Sequence, residues 1–161
     1  MSINEILVLI VSIAGGIYDL KSRRIPNWLT LGTFIIILLY NLIFLKFSGA
    51  LNCTLGFLVG ILILIIPYAM GGMGAGDVKL LGTIGSVVGF KDVISIFFYS
   101  AVCGLFLGLI WILCRPKHLK FLITTGHFLP PVEKKEKVPY GVAILLGTIL
   151  YIMLGNQFIR F

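Results

Sequence analysis

Two aspartates, Asp19 and Asp77, are the side chains of this sequence best placed to do acid–base chemistry. Each lies at the edge of a long apolar stretch, within the segments GIYDLKS and GAGDVKLL. An ionisable group at the edge of a membrane segment is costly to keep there, so it suggests a function. Two carboxylates that share one proton can polarise a water molecule and protonate a leaving amine, as in aspartic proteases. The fold must bring them together for this chemistry.

Each aspartate also has a simpler explanation. Asp77 could cap the helix that follows it, because Asp is a favoured N-cap residue, and Asp19 could pair with Arg23 or Arg24. The other acidic residues suit helix ends or a solvated loop: Glu5, Asp92, Glu133 and Glu136. As a pair expected on the same side of a membrane, Asp19 and Asp77 favour a catalytic function.

The segment around Asp77 is rich in glycine. MGGMGAGDVKLLG, residues 70–82, includes Gly74 and Gly76, which have no Cβ and so allow a peptide backbone to come close. A helix-breaking loop or close helix packing through small residues would explain the same glycines. Lys79 follows Asp77 by two residues, and its side chain could pair with a carboxylate or extend to the membrane interface.

The amino-acid composition indicates the class of protein in which Asp19 and Asp77 are positioned. Of 161 residues, 59% are hydrophobic and only 12% are charged, and the mean hydropathy is +1.10. Soluble domains are typically about a quarter charged. We therefore predict an integral membrane protein, surrounded by the lipid bilayer, with residues 1–161 as a single membrane domain.

Six apolar stretches predict an all-α bundle of about six transmembrane helices. They cover about residues 3–18, 28–45, 54–70, 78–90, 93–114 and 138–154, and the fourth is short enough to be re-entrant. If all six span and both termini lie outside, ten of the thirteen Lys and Arg residues face the cytoplasm, as the positive-inside bias requires. We expect this N-out, C-out topology, with the fourth helix packed against protein and cytoplasmic loops at about 19–27, 71–77 and 115–138.

No metal, cofactor or nucleic-acid site is predicted. Cys53, Cys103 and Cys114 form no C-x-x-C pair, and His118 and His127 have no partner at metal-ligand spacing. The net charge of +7 is explained by basic cytoplasmic loops rather than by binding to nucleic acid.

Three segments resemble the type IV prepilin peptidases and archaeal preflagellin peptidases. GAGDVKLL (74–81) is similar to their G-x-G-D motif, and DLKSRRIPNWLT (19–30) to the segment with their first catalytic aspartate. VPYGVAI (138–144) is similar to the P-x-G-x-A opening of their last helix. The matches follow the family's order and cover nearly the whole chain.

This resemblance implies a polytopic aspartic endopeptidase at the cytoplasmic face of the cell membrane. Its partners would be prepilin-like precursors (type IV pilins, Tad/Flp pilins or archaellin-type proteins) with a short basic leader and a hydrophobic helix. Asp19 and Asp77 match the catalytic pair, Gly74 and Gly76 match the motif glycines, and Lys79 matches a commonly basic position. No metal or cofactor is implied.

The connection between the first two helices is short. Longer family members carry a cytoplasmic insertion there, often with cysteine pairs, and they also N-methylate the trimmed pilin. Here only KSRRIPN (21–27) is present, which resembles the short peptidase-only branch, so methyltransferase activity is not expected. Arg23 and Arg24 in this segment could orient the loop or contact lipid headgroups.

Two other functions are compatible with the sequence. A small transporter or ion channel could use Asp19 and Asp77 as a proton relay, although the other apolar stretches have no acidic residue at their middle. A non-catalytic subunit of a secretion machine would need neither carboxylate for its function.

Overall fold

The computed structural model describes residues 3–22, 25–113 and 140–155. Arg23, Arg24 and the predicted loop 115–138 lie outside these residues. The described chain forms six helices: α1 (Ile3–Ser22), α2 (Asn27–Phe44), α3 (Lys46–Ala69), α4 (Ala75–Val88), α5 (Phe90–Leu113) and α6 (Tyr140–Leu154). The predicted all-α class is confirmed. Four helices are long and apolar enough to cross a membrane, namely α1, α2, α3 and α5, and α6 is a shorter apolar helix.

Helix α4 is the centre of the bundle. It has 14 residues, of which ten are buried, and it packs against all five of the other described helices. At 1.5 Å per residue it is about 21 Å long, less than the bilayer core of about 30 Å. The sequence therefore predicted correctly that the fourth helix is short and packed against protein.

The remaining helices form an incomplete ring around α4. In the order α2, α3, α5, α6, α1, each helix packs on the next, whereas α1 and α2 are not an extensively packed pair in the described chain. Near the turn that joins them, the rings of Tyr18 and Trp28 meet edge to face with their centroids 6.2 Å apart. Among the described residues, the ring of helices therefore has a lateral opening between α1 and α2.

Glycines allow α3 and α4 to cross backbone to backbone. Gly56 faces the carbonyl group of Gly85, and a methyl group at either position would collide with the backbone of the other. A Cβ atom at Gly60 would lie 2.7 Å from the Leu81 carbonyl oxygen and 2.8 Å from Gly82 Cα. Small residues permit such close approach between membrane helices. These glycine contacts set the position of α4 against α3.

The end of α4 also depends on a glycine. Gly89 follows the helix with φ of 93°, a conformation that residues with a side chain rarely adopt. Its N–H donates to the Gly85 carbonyl oxygen at 2.8 Å, and a Cβ there would lie 2.7 Å from the Asn52 amide nitrogen. The chain can therefore leave α4 and enter α5 within one residue.

Helix α4 begins at Ala75, within the predicted loop 71–77, and two other helix boundaries differ more from the sequence prediction. α1 continues to Ser22, so Asp19 lies inside the helix rather than at the start of a loop. α3 begins at Lys46 instead of near residue 54, and only Leu45 separates it from α2. Hydropathy marks the apolar part of a helix, whereas backbone hydrogen bonding continues through the polar residues at its ends.

Candidate active site

Asp19 is buried in the last turn of α1, with 7% of its surface exposed. Its Oδ2 atom accepts a hydrogen bond of 2.8 Å from the backbone N–H of Gly141. Gly141 is the second residue of α6, in the first turn, where backbone N–H groups have no acceptor within their own helix. Asp19 therefore caps α6 from a different helix.

Asp77 is buried in the first turn of α4, with 4% of its surface exposed. The N-cap residue of α4 is Gly74, so Asp77 occupies the third helical position. Its Oδ2 atom accepts a hydrogen bond of 3.1 Å from the Gly74 N–H, while its own N–H donates to the Gly74 carbonyl oxygen at 3.2 Å. Asp77 thus closes the first turn of α4, although it is not the N-cap itself.

The packing of α1 on α4 places both aspartates at the same end of the bundle. A Cβ at Gly15 would lie 2.6 Å from the terminal carbons of Leu80, and a Cβ at Gly76 would lie 3.1 Å from Ile25, just after α1. The two helices are therefore antiparallel. Asp19 follows Gly15 by one turn, and Asp77 precedes Leu80 by three residues, so both carboxylates lie on the same side of this contact.

The start of α6 completes this end of the bundle. Gly141 contacts Asp19 directly, and the neighbouring Tyr140 lies within electrostatic range of Asp77. The first turn of α6 is therefore common to the surroundings of both aspartates. Because the N-terminal ends of α4 and α6 carry partial positive charge, they favour negative charge on nearby carboxylates.

Lys79 links α2 to the end of the bundle that holds Asp19 and Asp77, here called the acidic end. Its Nζ atom donates a hydrogen bond of 2.9 Å to Asn27 Oδ1, at the first residue of α2. One turn further along α4, the Thr83 hydroxyl has two possible acceptors, the Lys79 carbonyl oxygen at 2.8 Å and the Thr30 carbonyl oxygen at 3.1 Å. These contacts hold the start of α2 against α4, on one side of the lateral opening.

In the described part of the chain, no group of three or more His, Cys, Asp or Glu side chains could hold a metal ion. Cys53 is buried in the core and Cys103 is half-buried on α5, and neither is in a disulfide. Cys114, His118 and His127 lie outside the described residues. The expectation that no metal or cofactor takes part in the function stays a prediction.

With this geometry in place, two comparisons with known proteins bear on the function. Residues 6–109 match the model of the type IV leader peptidase family. The chain belongs to this family. A protein of Bacillus subtilis (strain 168), described as prepilin leader peptidase/N-methyltransferase, is 32% identical over 115 residues. That match covers 71% of this chain but only 40% of the B. subtilis protein. No solved structure matches the chain significantly.

Family membership and the apolar helices together identify a multi-pass membrane protein. The matched residues 6–109 include Asp19 and Asp77, with Gly74, Gly76 and Lys79, whereas α6 lies beyond them. The predicted resemblance to prepilin peptidases is thereby confirmed at the level of the family.

The structure brings together most of the residues that the sequence singled out, and it adds one. Asp19 and Asp77 share one end of the bundle, Gly74 and Gly76 frame Asp77, and Lys79 extends towards α2. Arg23 and Arg24 are outside the described residues. The residue without a predicted role is Gly141. The segment VPYGVAI marked its position, but the contact with Asp19 depends on how α1 packs against α6.

Proposed function

We propose that this chain is a membrane-embedded aspartic endopeptidase that removes the leader from prepilin-like precursors at the cytoplasmic face of the cell membrane. The observation that carries the proposal is the pair of buried aspartates at one end of the α1–α4 contact, each bound by the backbone N–H of a glycine. Family membership supports this reaction class, and the matched B. subtilis protein carries prepilin leader peptidase in its name.

In the proposed mechanism, the two carboxylates share one proton. The ionised member accepts a proton from a water molecule, which attacks the carbonyl carbon of the scissile peptide bond, and the protonated member donates a hydrogen bond to the carbonyl oxygen. The proton taken from water is then delivered to the leaving amine. The titration belongs to the pair, so neither Asp19 nor Asp77 is assigned to one role.

The backbone hydrogen bonds suit this mechanism. An N–H group from Gly141 or Gly74 holds one oxygen of each carboxylate and supplies no side-chain acid or base that could compete for the shared proton. The Gly141 N–H belongs to the first turn of α6 and the Gly74 N–H to the N-cap of α4, so each carboxylate keeps a defined orientation. Preorganised groups of this kind stabilise charge that develops in the transition state.

Substrate access follows from the incomplete ring of helices. The precursor's hydrophobic helix lies alongside the bundle at the opening between α1 and α2, and its leader extends to the acidic end. The scissile peptide then unwinds to reach Asp19 and Asp77. Gly71, where an added Cβ would meet no atom within 4 Å, and the neighbouring Gly72 leave room for an extended backbone near Asp77, whereas Gly76 is packed against Ile25.

The cytoplasmic orientation rests on charge. The predicted topology places the acidic end with the loops that carry most Lys and Arg residues, as the positive-inside bias favours. We propose the peptidase reaction alone. Methyl transfer forms part of the name of the B. subtilis protein, of which the match covers only 40%.

The decisive experiment compares leader removal by wild type, Asp19→Asn and Asp77→Asn. Each is co-expressed with a model precursor that has a basic leader, a glycine at the cleavage site and a hydrophobic helix, and mature and precursor bands are quantified in membranes. We expect each Asn variant to lose about 10²–10⁴-fold in rate, because Asn can neither accept nor donate the catalytic proton.

The matched control is Asp92→Asn, which removes a half-buried carboxylate from the other end of the bundle. It should cleave as wild type does when membrane levels are equal. Cleavage that persists in Asp19→Asn or Asp77→Asn would contradict the two-aspartate mechanism. Ion transport by a wild type that cleaves no precursor would favour a proton relay instead.

A further inference from the structure

We propose that Gly141 is a positioning residue for Asp19, an inference that rests on the proposed function of Asp19 as a catalytic carboxylate. The Gly141 N–H donates to Asp19 Oδ2 at 2.8 Å. A Cβ atom at position 141 would lie 2.8 Å from Asp19 Cβ, 2.9 Å from Oδ2 and 3.1 Å from Cγ. Any side chain at position 141 would therefore displace the carboxylate that the N–H group binds.

The hydrogen bond is unusual because it caps a helix across the fold. Helix N-termini are ordinarily capped by a side chain from the residues just before them, whereas Asp19 and Gly141 are 122 positions apart. Both residues are buried, so water does not easily replace either partner. The first turn of α6 thus acts as a rigid donor that selects one orientation of the Asp19 side chain.

A buried polar contact between α1 and α6 keeps this donor in register. Towards the middle of the bundle, the Ser12 hydroxyl donates to Thr148 Oγ1 at 3.2 Å in a buried contact. Sites held by packed helices are more accurately positioned than sites held by loops.

A capping contact that served only the fold would predict a different behaviour from a positioning contact. Loss of a structural cap lowers the amount of folded enzyme, and the remaining molecules cleave normally. Loss of a positioning contact lowers the turnover of folded molecules while substrate binding is retained. The two cases are separated by kcat and KM measured per folded molecule.

The test substitutes Gly141→Ala and compares it with Gly16→Ala, a glycine-to-alanine change in the same interface. The methyl group at position 16 would meet the flexible end of Leu145 at 3.2 Å rather than the Asp19 carboxylate, and its 3.7 Å distance to the Gly141 carbonyl oxygen is an ordinary van der Waals contact. With purified full-length protein in detergent and the model precursor, we expect Gly141→Ala to lower kcat about 100-fold, the effect of a misplacement of about 1 Å. KM should stay within about threefold of the wild-type value, and Gly16→Ala should leave kcat within about threefold as well.

A kcat for Gly141→Ala that matches Gly16→Ala would overturn the inference, as would a loss fully accounted for by the amount of unfolded protein. A thermal-unfolding cycle tests the contact independently of activity. Asp19→Gly removes the three atoms that the new methyl group would meet, so Gly141→Ala should lower the unfolding midpoint less in that background than in wild type.

If Gly141→Ala lowered the unfolding midpoint equally in the wild-type and Asp19→Gly backgrounds, the proposal would also be overturned, whether or not the enzyme cleaves the precursor. Coupled shifts together with a wild type that processes no precursor would leave the Gly141–Asp19 contact established and refute the proposed function instead. The failures of the two proposals are therefore distinguishable.

Discussion

The two ends of the bundle each place two carboxylates on different helices, but they hold them in different ways. At one end Asp19 and Asp77 are buried and accept hydrogen bonds from glycine N–H groups. At the other end Glu5 and Asp92 are half-buried. There Tyr151 forms a side-chain hydrogen bond with Asp92 and interacts electrostatically with Glu5.

This difference separates the two carboxylates that we propose for catalysis from two that suit the ends of helices. Glu5 and Asp92 lie in the first turns of α1 and α5, where a negative charge complements the partial positive charge of the helix N-terminus. Their partial exposure lets water solvate them. Burial has removed most of this solvation from Asp19 and Asp77. The loss is costly for a carboxylate, and folding alone does not require it. Burial with backbone donors, rather than negative charge, distinguishes the proposed catalytic end.

The largest effect on stability should come from a substitution at the end of the bundle with Glu5 and Asp92, which we consider structural. Asp92→Ala removes the acceptor for Tyr151 and the acidic residue in the first turn of α5, so we expect it to lower the free energy of unfolding by about 1–3 kcal/mol. Thermal unfolding in detergent measures this loss. Cleavage per folded molecule should stay within about twofold of wild type, since the expected effect on the catalytic step is close to zero.

A control variant separates charge from hydrogen bonding at that end. Tyr151→Phe keeps the Asp92 carboxyl group and removes only the Tyr151 hydroxyl group, and it should cost about 1 kcal/mol. If Asp92→Ala instead abolished cleavage in folded protein, the division of the bundle into a catalytic and a structural end would be wrong.

Lys79 joins the proposed catalytic end of the bundle to α2 through its hydrogen bond with Asn27. Lys79→Met removes the hydrogen bond to Asn27 while it keeps an unbranched apolar side chain. Because this contact is exposed, we expect a loss of about 0.5–1 kcal/mol in stability. The rate of cleavage should fall only a few-fold, since Lys79 affects the site through α2 and not through the reacting atoms.

The partner substitution makes this test specific. Asn27→Ala should reproduce the effect of Lys79→Met, and the double variant should be no worse than either single one, because both remove the same hydrogen bond. Additive losses would show that Lys79 acts through other groups, and a loss of cleavage by a factor of a thousand would place it among the catalytic residues.

Much of this arrangement was predictable from the sequence. Asp19 and Asp77 stand out because an ionisable group in apolar surroundings is costly wherever the chain folds. The shortness of α4 followed from the length of its apolar run, and its packing against protein followed from the charge distribution. These features depend on local composition, so a single sequence is enough to detect them.

The contacts that orient the aspartates were not predictable in the same way. Gly141 reaches Asp19 across 122 positions, and Gly56 meets Gly85 through backbone atoms alone. A glycine has no side chain whose chemistry could indicate its partner, and periodicity does not determine which helices are neighbours. The motif around Gly141 marked the segment, whereas its role required the packing of α1 against α6.

The variant with the smallest expected effect on stability, Asp77→Asn, gives the sharpest test of the difference between the two ends of the bundle. Asp77→Asn keeps an oxygen that can accept the Gly74 N–H, so the first turn of α4 stays closed. The lost interaction with the helix N-terminus is worth about 0.3–1 kcal/mol, and relief of repulsion between two carboxylates at one end offsets it. We expect the unfolding free energy to change by less than about 0.5 kcal/mol, although cleavage is lost. Asp77→Ala, which has no acceptor, should cost about 1 kcal/mol. If Asp77→Asn were as unstable as Asp77→Ala, the charge of Asp77 would be needed for folding, and its burial would no longer favour catalysis over structure.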